Sequence, residues 1–255
     1  MVNQSIINQS LDQPQQDIKS IMETSNGIFE IEYNDGSKYV GNAKNNTKHG
    51  KGKINFISGE YYEGEFRFDI MEGYGKYVTE NLEYSGNWVN GLQSGKGKEI
   101  WKDGSVFTGE FLNGVKDGKG VYQWKDGTKY DGEWKEGEIN GVGVFNFKNG
   151  SKYDGEWKNG KRHGKGEFTN HRGQHYIGDF RNDKKEGKGI LTFKNKQVYE
   201  GQFKANRPHG IGKLHTVEGE TIKGKWEMGK KIETCLLYTS PSPRDLSTSR
   251  MPSSA

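Results

Sequence analysis

The chain carries one cysteine, Cys235, in 255 residues. A single thiol excludes a disulfide framework and a thiolate metal site. No apolar run approaches the roughly 20 residues that a membrane-spanning helix needs. Position 2 is Val, so the glycine required for myristoylation is absent. No signal-peptide pattern opens the chain, and a soluble, reducing compartment is the expected setting. Aliphatic mass is scarce as well: Leu, Ile, Val and Phe make up just under about 20% of the residues, the range in which disorder is suspected. Disorder also calls for high net charge, and here the balance is only +4, from 38 basic and 34 acidic side chains. Tyr, Trp and Phe, each a large unit of burial, take the place of the aliphatics. The 38 glycines would read as low complexity if they were scattered.

They are in register. An aromatic residue recurs as Tyr39, Tyr62, Tyr84, Phe107, Tyr130, Tyr153, Tyr176 and Tyr199, with Ile222 in the ninth place. Every step is 23 residues except the 22 from Tyr62 to Tyr84. Glycine stands two residues on in all nine copies, from Gly41 to Gly224. A ring stands four on in eight, as Phe66, Trp88, Phe111, Trp134, Trp157, Phe180, Phe203 and Trp226, with Ala43 the exception. A fixed period in the range of about 20–50 residues marks a repeat array.

Within a unit, Tyr153, Gly155 and Trp157 alternate with Asp154, Glu156 and Lys158, the period of a strand with one apolar and one charged face. Asn159-Gly160 is a turn signal. Gly164, Gly166 and Phe168 resume the alternation, and Asp-Gly or Asn-Gly pairs at 103–104, 126–127 and 149–150 lead into the next unit. Each repeat is therefore expected to be one antiparallel β-hairpin, and the chain an all-β, single-layer ribbon of about 17 strands spaced about 4.8 Å apart. Three in-phase glycines per hairpin are expected to leave troughs in which rings of the same or a neighbouring hairpin settle. The glycine cost of roughly 0.5–1 kcal/mol is offset by ring burial at about 25 cal/mol per Å². Valine at Gly155 is expected to clash. The core set, seen in three successive repeats, is Tyr130, Gly132, Trp134, Tyr153, Gly155, Trp157, Gly164, Gly166, Tyr176, Gly178 and Phe180. The short step is assigned to a loss in the loop between Gly75 and Tyr84, where deletions are tolerated.

Outside the array, residues 1–26 are rich in Gln, Asn and Ser and are expected to be a disordered tail. Ile18, Ile21 and Met22 have the spacing of a short amphipathic helix, which would be marginal alone. Residues 27–38 read as a half-repeat cap and 39–234 as the array. Residues 235–255 break from everything before and resemble translated sequencing-adapter read-through. They are treated as a non-native tail, which implies that the natural protein differs beyond Thr234.

The pattern Tyr-x-Gly-x-Trp-x-x-Gly-x-x-x-Gly-x-Gly closely resembles the MORN repeat, over about residues 27–231. The resemblance implies an extended, twisted antiparallel ribbon. It also implies the settings in which such arrays occur: ciliary and cytoskeletal scaffolds, membrane tethers, and regulatory regions ahead of phosphatidylinositol-phosphate kinase or SET-type methyltransferase domains. The repeat reports architecture, and function does not follow from it directly.

Gly-Lys-Gly at 95–97, 118–120, 164–166 and 187–189 lacks the spacing, the hydroxyl and the following helix of a phosphate loop. His49, His163 and His209 share one offset but lie in separate repeats about 10 Å or more apart, whereas zinc needs nitrogens at about 2 Å. No nucleophile–base pairing appears, and neither catalysis, cofactor nor metal is expected. Lys51, Lys96, Lys119, Lys165 and Lys188 form a row whose partners across the hairpin are expected to be Glu110 for Lys119, Glu156 for Lys165 and Asp179 for Lys188. The turn edge of repeats six to eight carries Lys161, Arg162, His163, Lys184, Lys185, Arg207 and His209, a candidate rim for anionic lipid or a protein partner. Nucleic acid is disfavoured because the rings lie in the buried phase. The leading expectation is a non-catalytic scaffold that docks protein partners in a cytoskeletal, ciliary or membrane-associated assembly. The alternatives are a peripheral adaptor on anionic phospholipid and the regulatory ribbon of an enzyme.

Overall fold

A computed structural model describes residues 17–233. Expectations for residues 1–16 and for the tail beyond Thr234 fall outside the described residues. Among the described residues the chain forms twenty strands and no helix. β1 (Ile18–Glu23) and β2 (Phe29–Tyr33) come first. The nine repeats follow as hairpins: β3 (Lys38–Lys44) with β4 (Thr47–Asn55), β5 (Tyr61–Arg67) with β6 (Ile70–Val78), β7 (Leu82–Val89) with β8 (Leu92–Trp101), and β9 (Val106–Leu112) with β10 (Val115–Gln123). β11 (Lys129–Lys135) pairs with β12 (Glu138–Asn146), β13 (Lys152–Lys158) with β14 (Lys161–Thr169), β15 (His175–Arg181) with β16 (Lys184–Thr192), β17 (Val198–Lys204) with β18 (Arg207–His215), and β19 (Thr221–Glu227) with β20 (Lys230–Glu233). Every strand pairs antiparallel with the next, giving one open meander. Twenty strands exceed the expected 17 because β1, β2 and β20 extend the sheet at its ends.

The first departure is β1. Ile18–Glu23 forms neither the short helix that the spacing of Ile18, Ile21 and Met22 allows nor a disordered tail. It pairs with β2, Ile21 opposite Ile31 and Met22 opposite Glu30. A lone six-residue helix leaves most of its backbone groups without intrahelical partners, whereas the open edge of β2 offers partners for them. The short step in the period falls where expected: only Thr79, Glu80 and Asn81 connect β6 to β7, against five residues between β12 and β13.

In repeat six, Gly155 of β13 stands opposite Gly166 of β14. A Cβ on Gly155 would lie 2.5 Å from the Gly166 Cα, and one on Gly166 would lie 2.6 Å from Cε2 of Tyr153. The tyrosine ring therefore crosses its own hairpin through the space two missing side chains leave. Its hydroxyl donates to the Glu156 carbonyl at 2.8 Å. The equivalent bond closes in repeats one, two, three, five, seven and eight. Phe107 makes the same crossing without it.

The next ring joins these units. Trp157 meets Tyr153 edge-to-face at 5.0 Å and Tyr130 of the preceding repeat at 5.7 Å. Phe180 meets Tyr176 at 5.1 Å and Tyr153 at 5.1 Å. The alternation runs from Tyr39–Phe66 to Tyr199–Trp226. Three tryptophans also donate Nε1–H to the preceding repeat: Trp88 to the Gly75 carbonyl, Trp134 to Gly120 and Trp157 to Gly143. In this way a single-layer sheet buries seven tyrosines of the repeat position completely, without a second layer.

The third glycine differs from its expected role. Between the pairs Gly155–Gly166 and Trp157–Arg162, β14 holds three residues against one in β13. This bulge contains Gly164 at φ +61°, a left-handed conformation that favours glycine. Gly164 thus shapes the backbone and does not floor the trough.

Two outcomes follow. Tyr153→Phe should lose about 1 kcal/mol, the worth of one hydrogen bond, in urea unfolding of the full chain; an unchanged midpoint would show that the Glu156 bond contributes nothing. Burial raises the phenol pKa of Tyr39, Tyr62, Tyr84, Tyr130, Tyr153 and Tyr176. Above about pH 10, the ordinary phenol value, the unfolded chain releases these protons while the folded chain retains them. Stability contributed by the phenols is complete below that pH and declines above it, and denaturation midpoints measured from about pH 9 to about pH 11 should fall steeply.

Candidate docking edge

The hairpins turn alternately at two edges. At one, five-residue links such as 170–174 are closed by Gly173 N–H to the Asn170 carbonyl at 3.0 Å. At the other, two-residue turns carry positive φ at both positions, as in Asn159 (+50°) and Gly160 (+70°). Such turns match the twist of the flanking strands. They set the last residue of one strand directly opposite the first of the next.

Read along this second edge, the facing pairs are zoned. Repeats three and four pair Val89 with Leu92 and Leu112 with Val115. Repeat two pairs Arg67 with Ile70 and adds Phe68, a turn residue 50% exposed whose ring meets that of His49 at a tilt, 4.7 Å between centroids. Repeat five pairs Lys135 with Glu138. Repeats six, seven and eight then pair like with like: Lys158 with Lys161, Arg181 with Lys184, Lys204 with Arg207. All six are exposed. Like charges directly opposite one another destabilise a sheet, and here the arrangement occurs three times in succession. Lys158, Arg181 and Lys204 were missed in the sequence; the two-residue turn that makes them partners of Lys161, Lys184 and Arg207 was the signal.

The expected rim is only partly a rim. Lys161, Lys184 and Arg207 stand on it. Arg162 and Lys185 are the direct partners of Trp157 and Phe180, so they point inward with the rings. The Arg162 guanidinium lies over Tyr153, Phe168 and Phe180 at 5.2–5.7 Å. Its Nε donates to Asp183 Oδ1 at 3.1 Å and its Nη2 to the Asp183 carbonyl at 2.9 Å. The Lys185 ammonium lies over the Tyr176 ring at 4.8 Å. Burial, with the Arg162 charge behind it, pushes the Lys185 pKa down to about 8. His163 and His209 sit half-buried in their bulges, in separate repeats.

Arg162 and Lys185 belong to a row of inward residues facing the second ring of each repeat: Lys48, Met71, Gln93, Lys116, Ile139, Arg162, Lys185 and Pro208. Lys48 faces Ala43, the one small residue at the ring position, and fills the space with its stem. Its ammonium pairs with Asp69 at 3.1 Å. Lys116 pairs at 2.7 Å with Glu99, which stands where other repeats carry Tyr77, Tyr122 or Phe145. Burial pushes the Glu99 carboxyl up, with Lys116 opposing.

The second lysine row also departs from expectation. Glu110, Glu156 and Asp179 meet Lys119, Lys165 and Lys188 through the backbone: each carboxylate accepts the lysine's N–H, at 2.9, 2.8 and 2.8 Å. The extra residues of the bulge turn these amides toward the carboxylates. Across the register, Lys165 faces Asp179 of the next repeat, and their side chains form an ion pair.

The sequence matches the MORN repeat family at residues 39–61, 62–81, 84–106, 107–129, 130–152, 153–174, 176–198 and 199–221. Alsin of Rattus norvegicus and of Homo sapiens is 32% identical over 75 residues, 27% of this chain and 4% of alsin. The chain thus spans a small fraction of the length of the curated relatives it matches. Among solved structures, the SAS-4 TCP domain of Drosophila melanogaster, bound to a proline-rich motif of Ana2, overlaps 75% of this chain and 96% of its own at 18% identity and a TM-score of 0.32. The TCP10 domain of Danio rerio CPAP overlaps 81% and 100% at 13% identity and a TM-score of 0.33. Eight tandem matches, seated on the glycine-crossing rings and bulged hairpins described above, establish that the chain belongs to the MORN repeat family.

Proposed function

We propose that this chain is a non-catalytic scaffold that docks a protein partner along its two-residue-turn edge. One observation carries the reading: three successive like-charge pairs, Lys158–Lys161, Arg181–Lys184 and Lys204–Arg207, on an edge that is apolar in repeats three and four. An arrangement that costs stability in the isolated ribbon is relieved by an anionic partner. The half-exposed Phe68, Ile70, Val89 and Leu112 supply apolar contact area beside the charges. The inward face is occupied by the ring zipper and the side chains packed against it, which leaves the edge, with the residues it gives access to, and the outer face for recognition. A cytoskeletal or ciliary assembly is the setting such a ribbon suits.

A second reading is a peripheral adaptor on anionic phospholipid. It is favoured by the same adjacency of cations and exposed apolar side chains, since basic residues near such a surface contribute up to about 1 kcal/mol each. No described helix is long and apolar enough to cross a membrane, so attachment by this region would be through the edge.

The test is a triple reversal, Lys161→Glu, Lys184→Glu and Arg207→Glu, in the full chain. Each change turns a like-charge pair into an opposite one, so stability should rise by roughly 0.2–1 kcal/mol per pair. Partner recovery from the native source should fall sharply. Undiminished recovery of the same partner, or isolation of the native chain as a partner-free monomer, contradicts the scaffold reading. Flotation with phosphoinositide-containing vesicles at physiological salt separates the second reading, which fails if the chain stays with the unbound fraction.

A further inference from the structure

The inward cations obey one rule with one exception. Lys48 of repeat one bonds the turn of repeat two: its N–H donates to Asp69 Oδ1 at 2.9 Å, its carbonyl accepts the Asp69 N–H at 2.9 Å, and its ammonium pairs with the same carboxylate. Arg162 of repeat six bonds Asp183 of repeat seven in the same way, N–H to Oδ1 at 3.1 Å, carbonyl to N–H at 3.0 Å, and guanidinium to Oδ1. Lys185 of repeat seven repeats both backbone contacts with repeat eight, at 2.8 and 3.0 Å, but the turn residue there is Asn206. The three turn residues share one conformation, with φ of 68°, 67° and 71°. A neutral amide therefore stands where the two counterparts have a carboxylate. Lys116, the remaining inward lysine of the central row, has Glu99. Among the described residues no carboxylate is paired with Lys185, and its neighbouring charge is the cation Arg162.

We propose that the Lys185 ammonium is the seat for a carboxylate carried by an acidic peptide segment of a partner protein. This rests on the protein-docking reading above and assigns its anchor. Three features favour this occupant. The missing group in the repeated motif is a carboxylate, and its geometry is already set by Asp69 and Asp183. Lys185 lies half-buried against Tyr176, within reach of a side chain on a flexible stem but recessed from a flat bilayer surface. On the adjoining edge, the six exposed cations of repeats six to eight offer complementary charge to the rest of an acidic segment. A charge-assisted hydrogen bond formed away from bulk water is the stronger kind.

Two variants separate this anchor from general charge attraction. Lys185→Met is tolerated by precedent, since Met71 faces Phe66 at the same position. Asn206→Asp installs in cis the carboxylate that Asp69 and Asp183 provide, at a φ those residues already adopt. The full chain is titrated with a synthetic Glu-rich peptide by calorimetry, with the Lys185 side-chain amine followed by NMR. A parallel arm uses phosphatidylserine vesicles. The expected result is peptide binding with a shift of the Lys185 resonance, weakened roughly tenfold in either variant, the loss of one charge-assisted hydrogen bond. Asn206→Asp should also raise the Lys185 pKa toward the usual ammonium range. Wild-type affinity in both variants overturns the anchor; if reversal of Lys161, Lys184 and Arg207 still abolishes binding, the docking edge survives without it. Absence of peptide binding overturns the inference too, and vesicle binding in that case assigns the edge to a membrane.

Discussion

A tyrosine ring crossing a cross-strand glycine pair is the contact on which the ribbon depends. A single-layer sheet has no opposing layer to dry its apolar face. Here each of the first eight hairpins lays its own ring across its own glycines, and the ring of the next hairpin closes the other side edge-to-face. The glycines give up strand stability so that the ring lies close to the backbone, and the phenol hydroxyl bonds the Glu156 carbonyl or its counterpart. Because every contact lies within a hairpin or between neighbours, stability should accumulate repeat by repeat, as in other linear arrays.

That economy shapes where function can reside. The inward face is filled by rings and by a row of residues whose charges, Lys185 excepted, are balanced locally: Lys48 by Asp69, Lys116 by Glu99, Arg162 by Asp183. The two-residue turns carry less of the packing, so their flanking residues are free to vary. They do vary in blocks, apolar around repeats two to four and basic in repeats six to eight. The bulges contribute by consuming the outer carboxylates Glu110, Glu156 and Asp179 as caps for exposed backbone amides, which leaves the turn-edge cations without neutralisation from their own hairpins.

Much of the fold was legible because its signals repeat. Tyr153, Gly155 and Trp157 show the period of a strand, Asn159-Gly160 marks the turn, and nine copies remove ambiguity. The bulge was not legible for a physical reason: its two extra residues preserve parity, so Gly164 looks in phase with Gly166 although it has no partner in β13 and pairs only with Phe180 of β15. The same parity places Arg162 with Gly166 and Phe168 on the inward side, a signal present in the alternation of the strand but not in the run of basic residues along the turn edge. The bonds from Asp183 and Asn206 to the preceding repeat reach across 21 positions, and only the assembled meander brings those residues together. β1 was hidden because its sequence has little strand pattern of its own and is ordered by the edge of β2.

The central claim is tested most directly by a double-mutant cycle on Tyr153 and Gly166 in the full chain, read by urea unfolding. With the ring present, Gly166→Ala forces a Cβ into the tyrosine and should cost about 1–3 kcal/mol. In a Tyr153→Ala background the same change should be neutral or stabilise by roughly 0.5 kcal/mol, since alanine is the better strand residue once the space is open. An equal cost in both backgrounds would mean that the glycine does not serve the ring, and the account would fail at its foundation.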